Sequence, residues 1–439
     1  MKFVVSVPQT SLPLGDRQTA PVWGYGETVR GQLDPWAIGE ALAPGWRFGW
    51  AGRDGIVRLA LGAVLTVTAA GPDRFATVGA FAEKVWQQTA GWSPPLFGGF
   101  AFAPESTDPF PAAVWFVPRW LVQGQGEAWA IAAYGTHEPT VREDLQRLKQ
   151  ALSSRGEPSS PNRLHWAETD DRPWERAVAS ALQEIGQGKL QKIVLARALD
   201  VVAERAIDIG QVWGRLGARY PQCTRFAVRL GGETTFMGAS PERLLALHPA
   251  EMGWEWHSDA VAGSRPRGQT PAEDREWGDR LLHSVKDRWE HDLVVQSIVG
   301  RLGVPVSDAP TPQLLKLHNV QHLYTPIRAI APKLSPGETL QLLAQLHPTA
   351  AVGGEPRDLA LQRLRQWEGI DRGWYGGPLG WLQANGEGCF VVGIRSGYVQ
   401  GKQARLFAGA GIVAGSEAPT ERAETAVKFA PLLEAIEGR

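Results

Sequence analysis

One stretch near the C-terminus most constrains how this chain can fold, because a short apolar strand, a glycine-rich loop and a charged helix follow one another directly. It runs from Leu406 to Phe429 and reads LFAGAGIVAGSEAPTERAETAVKF. Gly409, Gly411 and Gly415 allow the backbone to turn tightly and to approach a bound group closely. We therefore expect this loop to line a ligand site.

The helix that follows this loop places two carboxylates and one ammonium on one face. Ser416 is the predicted N-cap, and Pro419 is tolerated in the first helical turn. Glu421, Glu424 and Lys428 are spaced three and four residues apart, so their side chains share a face. Spacing alone more often indicates a solvent-exposed face with a Glu–Lys pair one turn apart.

Composition and charge bear on the partners of the chain. Its 439 residues carry a net charge of −1, which argues against a nucleic-acid-binding or anionic-membrane surface. Two cysteines, Cys223 and Cys389, give no disulfide framework, and no apolar run approaches the ~20 residues of a membrane-spanning helix. We expect a cytoplasmic protein without nucleic-acid or membrane partners, and a monomer, with a dimer as the alternative.

The chain divides at a polar segment rich in proline and serine, Ser153–Asn162, which is a predicted linker or long loop. Before it, Val141–Ser153 has helical spacing. We expect residues 1–160 to form a strand-rich part and residues 161–439 a catalytic part of one structural unit. Alternating apolar runs predict half-buried strands in the first part: Phe3–Val7, Ile56–Ala60, Val64–Thr68, Phe97–Phe102 and Ala128–Ala132.

After the linker, charged residues stand next to apolar runs. Lys189–Leu199 is a predicted strand with Lys192 and Val194 on one face. A lysine at this position is more often an edge residue whose ammonium group reaches solvent. Glu242 follows a proline between two predicted strands, and a simple ion pair with Arg243 is the alternative to a chemical role.

A capping box, Thr270-Pro-Ala-Glu, predicts the start of one long helix with proline at its first position. Asp287 and Glu290 are three residues apart on one side of it, and a salt-bridged surface face is the alternative interpretation. The predicted apolar positions of this helix are Leu281, Val285, Val295 and Ile298.

Taken together and in order, ten segments of the chain resemble the motif series of the chorismate-utilising enzymes. The resemblance is dense from about Trp174 to the C-terminus and is strongest to the isochorismate synthases within that family. The segments are KIVLAR from Lys192, GASPERL from Gly238, AGSRPRG from Ala262, KDRWEHDLVV from Lys286, VQHLYTPI from Val320, LHPTAAVGG from Leu346, YGGPLGW from Tyr375, GIRSG from Gly393, FAGAGIVAGS from Phe407 and ERAETAVK from Glu421.

The resemblance implies an α/β fold of the α+β type, in which two large, mainly antiparallel β-sheets pack on each other with helices outside. It implies the small-molecule substrate chorismate, and isochorismate formation by addition of water at C2 with loss of the C4 hydroxyl. Lys192 is then the general base and Glu242 the general acid. The base must be neutral and the acid protonated when they act, and burial favours both uncharged forms.

The resemblance also implies a magnesium ion. Glu290 and Glu424 match the family's metal ligands, with Asp287 and Glu421 one helical turn away as direct or water-mediated partners. Four converging carboxylates repel one another, so a positive partner is required. The implied substrate-binding groups are the side chains of Arg395 and Lys428, the backbone at Gly409, Gly411, Gly263 and Ser264, and the site-lining residues His322 and Tyr375, for which a buried structural role is the alternative.

The branch within the family rests on few positions. Members that attach ammonia usually carry glutamine in place of Lys192, and covalent aminodeoxychorismate synthases carry lysine in place of Ala262. Both positions therefore indicate water as the nucleophile. Salicylate synthase and the siderophore-branch isochorismate synthases are the alternatives, whereas VQHLYTPI and GWYGGPLGW favour the menaquinone branch. Outside the enzyme class, an inactive subunit or binding protein is the rival.

Two residues near the expected substrate position depart from the family pattern. Ala350 stands where a proline is usual, and Ser264 stands where a threonine is common.

Overall fold

A computed structural model describes residues 21–438 except 43–44, 107–108, 157–160, 167–171 and 307–310. The predicted strand Phe3–Val7 lies outside these residues, as does part of the predicted linker. Within them, no helix is both long enough and apolar enough to cross a membrane.

The described residues form twenty strands and ten helices. The strands are β1 (Val22–Arg30), β2 (Trp46–Ala51), β3 (Val57–Ala69), β4 (Thr89–Gly91), β5 (Leu96–Phe100), β6 (Ala113–Gln125), β7 (Ala128–Gly135), β8 (Leu164–His165), β9 (Lys192–Ala203), β10 (Thr224–Leu230), β11 (Thr235–Ser240), β12 (Arg243–Ala250), β13 (Gly253–Pro266), β14 (Gln313–Lys316), β15 (Val320–Ala331), β16 (Gly354–Glu355), β17 (Pro378–Leu382), β18 (Gly388–Val392), β19 (Ser396–Gln400) and β20 (Gln403–Ile412). The helices are α1 (Pro35–Leu42), α2 (Arg74–Gln87), α3 (Glu138–Ala151), α4 (Arg172–Gly186), α5 (Ile209–Arg219), α6 (Pro271–His283), α7 (Val285–Leu302), α8 (Pro336–Leu346), α9 (Arg357–Trp367) and α10 (Ala418–Glu437).

The strands form one hydrogen-bonded network that is antiparallel except for the pairing of β1 with β4. From β6, one series runs through β3, β2, β10, β11, β19, β20 and β9. The other runs through β5, β17, β18, β12, β13, β15 and β14. Both series contribute to a single apolar cluster, with Trp50 and Phe236 from the first and Phe97 and Phe390 from the second. The mixed, mainly antiparallel class is confirmed, with the two series joined through β6.

Strands from before and after the predicted linker are neighbours in this network. β2 pairs with β10, and β5 pairs with β17. We infer that residues 1–160 and 161–439 are parts of one structural unit, since neither part has a separate sheet among the described residues.

The long helix predicted after Thr270 is two helices, which corrects the sequence-based expectation. The capping box is present: the Thr270 side chain accepts a hydrogen bond from the Glu273 N–H, and the Glu273 carboxylate accepts one from the Thr270 N–H. Ser284 then ends α6 and begins α7, because its backbone is extended and its hydroxyl accepts a hydrogen bond from the Asp287 N–H. Val285, predicted to be apolar core, is consequently 85% exposed.

A buried ion pair replaces a neighbouring strand along the middle of β9. One edge of β9 pairs with β20 over ten residues, whereas among the described residues the other edge meets only the short strands β16 and β8 near its ends. Between them, Glu368 accepts a hydrogen bond from the Ala196 N–H at 2.7 Å, and Arg372 donates one to the Val194 carbonyl at 2.6 Å. The paired side chains of Glu368 and Arg372 are only 4% and 3% exposed.

Replacing Arg372 with methionine should destabilise the protein by about 3–5 kcal/mol, because Glu368 would be left as an unpaired charge in the interior. Urea denaturation followed by tryptophan fluorescence measures this loss. The matched control is Arg405→Met, which breaks the pair with Asp200 whose side chains are 28% and 42% exposed. That change should cost about 1 kcal/mol or less. Equal losses in the two variants would contradict the role given to the buried pair.

Candidate active site

A cavity near the C-terminal end of β20 collects most of the predicted site residues. It is lined by Glu242, Gly263, Ser264, Glu290, His322, Tyr375, Arg395, Gly409, Gly411, Glu424 and Lys428. Three further predicted residues, Lys192, Asp287 and Glu421, are buried but do not line the cavity. The structure therefore brings together residues that lie more than 180 positions apart in the sequence.

The apolar part of the wall was missing from the sequence-based site. Tyr375 stacks on Phe407 with ring centroids 5.2 Å apart, and burial raises the pKa of the Tyr375 phenol to about 12. Val194 was foreseeable, because it alternates with Lys192 on one face of β9. The other apolar residues that line the cavity have no charged or reactive group that would mark them in the sequence: Pro241, Val261, Ala262, Ala351, Val352, Ile394 and Ala408.

The two departures from the family pattern have different positions. Ser264 lines the cavity, whereas Ala350 is fully buried and its neighbour Ala351 forms the wall. The Ala350 N–H donates a hydrogen bond to Ser297 Oγ at 3.3 Å. A proline has no N–H and could not make this bond. The alanine thus ties the loop to α7 by a hydrogen bond that a proline could not make.

The far end of β20 exposes a backbone edge to the cavity. β20 pairs with β19 only as far as Leu406, whereas its other edge pairs with β9 as far as Ile412. A Cβ atom at Gly411 would lie 2.0 Å from Glu290 Oε1 and 3.1 Å from Lys192 Cε. Glycine at this position therefore makes room for the carboxylate and for the lysine stem. The predicted loop is corrected here, because Gly409 and Gly411 lie within β20 and only Gly415 of the three glycines has a positive φ, of 81°.

The start of α10 differs slightly from the prediction. The N-cap is Glu417, and no side-chain capping bond is present there. Ser416 Oγ instead accepts a hydrogen bond from the Val413 N–H at 3.2 Å. The predicted face of the helix does carry a Glu–Lys pair, Glu424 with Lys428, and Lys428 Nζ also donates to the Gly409 carbonyl at 2.9 Å. Glu424 and Lys428 line the cavity and Glu421 is buried, so this face is not a solvated surface.

Each of the four acidic residues has a basic partner, which supplies the positive charge that the sequence required. Two of the basic residues lie on α7 and α10, the helices that carry the four acidic residues, and the other two lie on β9 and β13. The pairs are Glu290 with Lys192 at 3.0 Å, Glu421 with Lys286 at 2.6 Å, Asp287 with Arg265 at 3.4 Å, and Glu424 with Lys428.

The charge states of these acids differ because their surroundings differ. Burial raises the pKa of Glu421, and the nearby Glu424 carboxylate raises it further, against the pull of Lys286. For Glu290, burial again raises the pKa, but the combined attraction of Lys192, Lys428 and Lys286 outweighs it and the net shift is downward. The pKa shift therefore favours the anionic form of Glu290 despite its burial.

Glu242 and Lys192 are buried polar groups without well-aligned hydrogen bonds at two key atoms. Glu242 is 2% exposed in the break between β11 and β12, and Lys192 is 0% exposed. Among the described residues, Glu242 Oε1 has no hydrogen-bond partner, and Lys192 Nζ lies 3.0 Å from Glu290 Oε1 without the alignment of a hydrogen bond. Burial raises the pKa of Glu242 to about 8, although Lys192 and Arg395 act in the opposite direction. A carboxyl that is largely protonated near neutral pH can donate a proton.

Arg395 has an unusual backbone conformation, and its side chain lies beside His322. Its φ of 51° lies in the left-handed region, which non-glycine residues rarely adopt outside functional sites. Arg395 donates to His322 Nε2 at 2.8 Å, so the ring proton must be on Nδ1, which faces Ser264 Oγ at 2.9 Å. Burial, followed by the charges of Arg395 and Lys428, lowers the pKa of His322 well below its ordinary value. A neutral His322 thus orients the guanidinium.

The donor set suits a hard cation such as Mg²⁺. Glu290 and Glu424 offer only carboxylate oxygen, and both line the cavity. Within the described ranges, no group of three or more His, Cys, Asp or Glu side chains is assembled to hold a metal. Magnesium commonly binds one or two carboxylates and completes its shell with water and substrate oxygen, so two carboxylates fit. A cation there would compete with Lys192 and Lys428 for these oxygens.

Replacing Gly411 with alanine should displace the Glu290 carboxylate while leaving the fold intact, because the clash is with the end of a side chain. The expected result is loss of most catalytic activity with a thermal midpoint close to that of the original protein. Gly300→Ala is the matched control, since this glycine lies in α7, the helix of Glu290, and a Cβ there meets nothing within 4 Å. Retained activity in Gly411→Ala would show that the position of Glu290 is unimportant.

Comparison with known proteins gives consistent similarities. The family model described as chorismate binding enzyme matches residues 27–437. The salicylate biosynthesis isochorismate synthase of Pseudomonas aeruginosa is 36% identical over 86% of this chain and 82% of the relative. Isochorismate synthase MenF of Bacillus subtilis is 34% identical over 81% and 77%. The solved menaquinone-specific isochorismate synthase of Escherichia coli has a TM-score of 0.80 and 26% identity, covering 95% of each chain.

Proposed function

We propose that this chain, which belongs to the family of chorismate-binding enzymes, is a magnesium-dependent isochorismate synthase. The observation that carries the proposal is that a buried carboxyl with a raised pKa, Glu242, lines the same cavity as Glu290, the partner of the buried Lys192 amino group. The menaquinone branch is supported by the structural likeness to the Escherichia coli enzyme. A relative named for salicylate biosynthesis is equally similar in sequence, so both support isochorismate formation, the shared reaction. The cytoplasmic location and the monomeric state stay predictions.

The cavity offers the charges that a dianionic substrate needs. Arg395 and Lys428 would each bind a carboxylate of chorismate, and Arg395 can do so with two parallel hydrogen bonds. The backbone edge at Gly409 and Gly411, together with Ser264, would complete the polar surface. The stacked rings of Tyr375 and Phe407 would face the apolar part of the substrate. Because the substrate charges are met locally, the near-neutral charge of the whole chain is no obstacle.

In the proposed reaction a proton moves at each end of the ring system. Lys192 takes a proton from water as the oxygen bonds to C2, the double bonds shift, and the bond from C4 to its hydroxyl breaks. Glu242 gives its proton to the departing hydroxyl, which leaves as water. One water is consumed and one is released, so the product is an isomer of the substrate. The proton gained by Lys192 must return to Glu242 before the next turnover.

The Lys192–Glu290 pair limits when Lys192 can act. Glu290 Oε1 lies 3.0 Å from Lys192 Nζ and lines the cavity, whereas Lys192 does not. Lys192 can approach water as a base only when Glu290 has turned to another partner. Magnesium held by Glu290 and Glu424 would polarise the substrate carboxylate and favour attack at C2. Asp287 and Glu421, already paired with Arg265 and Lys286, would stabilise the two ligand-bearing helices from behind.

Purified protein incubated with chorismate and magnesium should yield isochorismate as the sole product, resolved by chromatography without added ammonia. Chelation with EDTA should abolish the reaction. Formation of salicylate and pyruvate would move the protein to the lyase branch, and absence of any product would favour a binding protein.

Two single variants separate catalysis from binding. Lys192→Ala should reduce turnover by roughly 100-fold or more while chorismate still binds in the presence of magnesium, since the lysine does not line the cavity. Glu424→Gln should raise the magnesium concentration needed for half-maximal activity. Unchanged turnover in Lys192→Ala would remove this residue from the base role, and an unchanged magnesium requirement in Glu424→Gln would remove Glu424 from the metal site.

The pH dependence of turnover should report on Glu242. Its pKa is raised to about 8, so the carboxyl is protonated and competent below that pH and loses its proton above it. Activity should therefore fall as pH rises through about 8. The base cannot cause this fall, because rising pH favours its neutral, active form. A kcat that keeps rising well above this range would contradict the role of Glu242 as the acid.

A further inference from the structure

The backbone at Glu242 is fixed from within its own sheet. Ser240 Oγ accepts a hydrogen bond from the Glu242 N–H at 3.2 Å, and the Val392 N–H donates one to the Glu242 carbonyl at 3.1 Å. These two contacts hold the peptide groups of Glu242 itself in the break between β11 and β12. The other polar atom of each of these two peptide groups, the Pro241 carbonyl and the Arg243 N–H, is held by other parts of the chain.

Two side chains from distant elements hold those flanking groups. Arg53, in the turn between β2 and β3, donates to the Pro241 carbonyl. Asp259, in β13, accepts a hydrogen bond from the Arg243 N–H at 3.2 Å. Arg53 and Asp259 are also joined to each other, with Nη1 and Oδ2 3.0 Å apart. One ion pair therefore clamps the chain on both sides of Glu242.

The Asp259 carboxylate is deeply buried and has several donors. It is 2% exposed, and besides Arg53 it lies 3.8 Å from Arg243 Nε. Its other oxygen accepts a hydrogen bond from the Tyr324 hydroxyl at 3.0 Å. An apolar cluster of similar volume would usually be as stable as a buried ion pair of this kind, so stability alone does not account for it. Neither Arg53 nor Asp259 lines the cavity, so neither is a substrate ligand.

We propose that Arg53 and Asp259 are positioning residues for Glu242, which fix the peptide groups on either side of it and place a negative charge behind its carboxyl. The proposal deepens the proposed function and rests on it for the reaction that Glu242 serves. It gives the N-terminal part of the chain a task in catalysis, since Arg53 belongs to the β2–β3 turn.

Asp259 shifts the pKa of Glu242 in the opposite direction to the two nearby basic residues. Burial raises the pKa of Glu242, and Asp259 raises it further. The charges of Lys192 and Arg395, and a hydrogen bond with Thr349, lower it. If Asp259 were neutral, burial alone would oppose these three, and Glu242 would lose its proton at a lower pH.

The test is the pH profile of kcat for the full-length Asp259→Asn variant. Asparagine removes the charge and keeps one oxygen, which can still accept from the Arg243 N–H, while its amide NH2 replaces the oxygen that faces Tyr324 and can donate to the phenolic oxygen. The fall in activity at high pH should move to lower pH by roughly half a unit or more, as expected for loss of a nearby like charge. An unmoved fall would overturn the proposal.

Asp200→Asn is the matched control. Asp200 forms a bidentate pair with Arg405, at 2.7 Å for each bond, in a more exposed position on β9. It lies about 26 Å along the strand from Lys192, at ~3.3 Å per residue. Its loss should leave the pH profile unchanged. An equal shift in this control would show that the effect is a general change of charge, and would overturn the proposal.

Arg53→Lys tests the clamp separately and decides the question if Asp259→Asn does not fold. Lysine keeps the positive charge, but its single ammonium group cannot hold Asp259 and the Pro241 carbonyl with two separate arms. We expect kcat to fall roughly tenfold or more, with little change in KM and no shift of the profile. An unchanged kcat would overturn the positioning role.

A direct readout separates this inference from the proposed function. The infrared band of the protonated Glu242 carboxyl is identified by its absence in Glu242→Gln, and its titration needs no turnover. If the protein makes no isochorismate, the proposed function fails. In that case, a lower titration midpoint in Asp259→Asn would still support the effect of Asp259 on Glu242, and an unchanged midpoint would overturn it.

Discussion

The antiparallel pairing of β9 with β20 is the constraint on which the rest of the site depends. It runs over ten residues and ends where Lys192 begins one strand and Gly411 nears the end of the other. Because Gly411 has no side chain, the Glu290 carboxylate and the Lys192 stem fit against the backbone. The opposite edge of β9 is held by the buried pair of Glu368 and Arg372. Lys192, Glu290 and Gly411 are thus held in fixed positions relative to one another.

Charge compensation is the second determinant of the site. Burying four carboxylates in one region is costly unless each has a counter-ion, and the chain provides Lys192, Lys286, Lys428 and Arg265. The same arrangement couples the proposed metal ligands to the proposed base. Glu290 cannot serve a cation and Lys192 fully at the same time. In the proposed mechanism, binding of the metal and freeing of the base would therefore be linked by a shared carboxylate.

The N-terminal part of the chain supports the site without forming its wall. The residues that line the cavity all follow residue 190. Phe102 nevertheless lies under the Arg372 guanidinium, with 4.1 Å between the guanidinium carbon and the ring centroid, and its carbonyl lies 3.3 Å from His347 Nε2. Arg53 reaches the peptide group before Glu242. The early strands thus stabilise two elements of the site from outside, which explains why motifs concentrated after Trp174 do not describe the complete catalytic unit.

Sequence by itself determined the chemical types and much of the local structure. The resemblance and the residue spacing predicted the mixed class and the capping box at Thr270, and eleven of the fourteen proposed site residues line one cavity. Local signals suffice there, because caps, strand alternation and glycine turns depend on neighbours in the chain.

Only the tertiary structure decided which charges face each other and where the long helix breaks. Lys192 meets Glu290 across 98 positions of sequence, and Arg53 meets Asp259 across 206. Spacing along one element carries no information on such contacts, and the identity of each counter-ion depends on how distant strands register. The break at Ser284 was hidden for a related reason, since apolar periodicity continues through it while a single side-chain hydrogen bond redirects the chain. The sequence therefore determined which groups the site contains, and the packing of distant strands decided their partners and charge states.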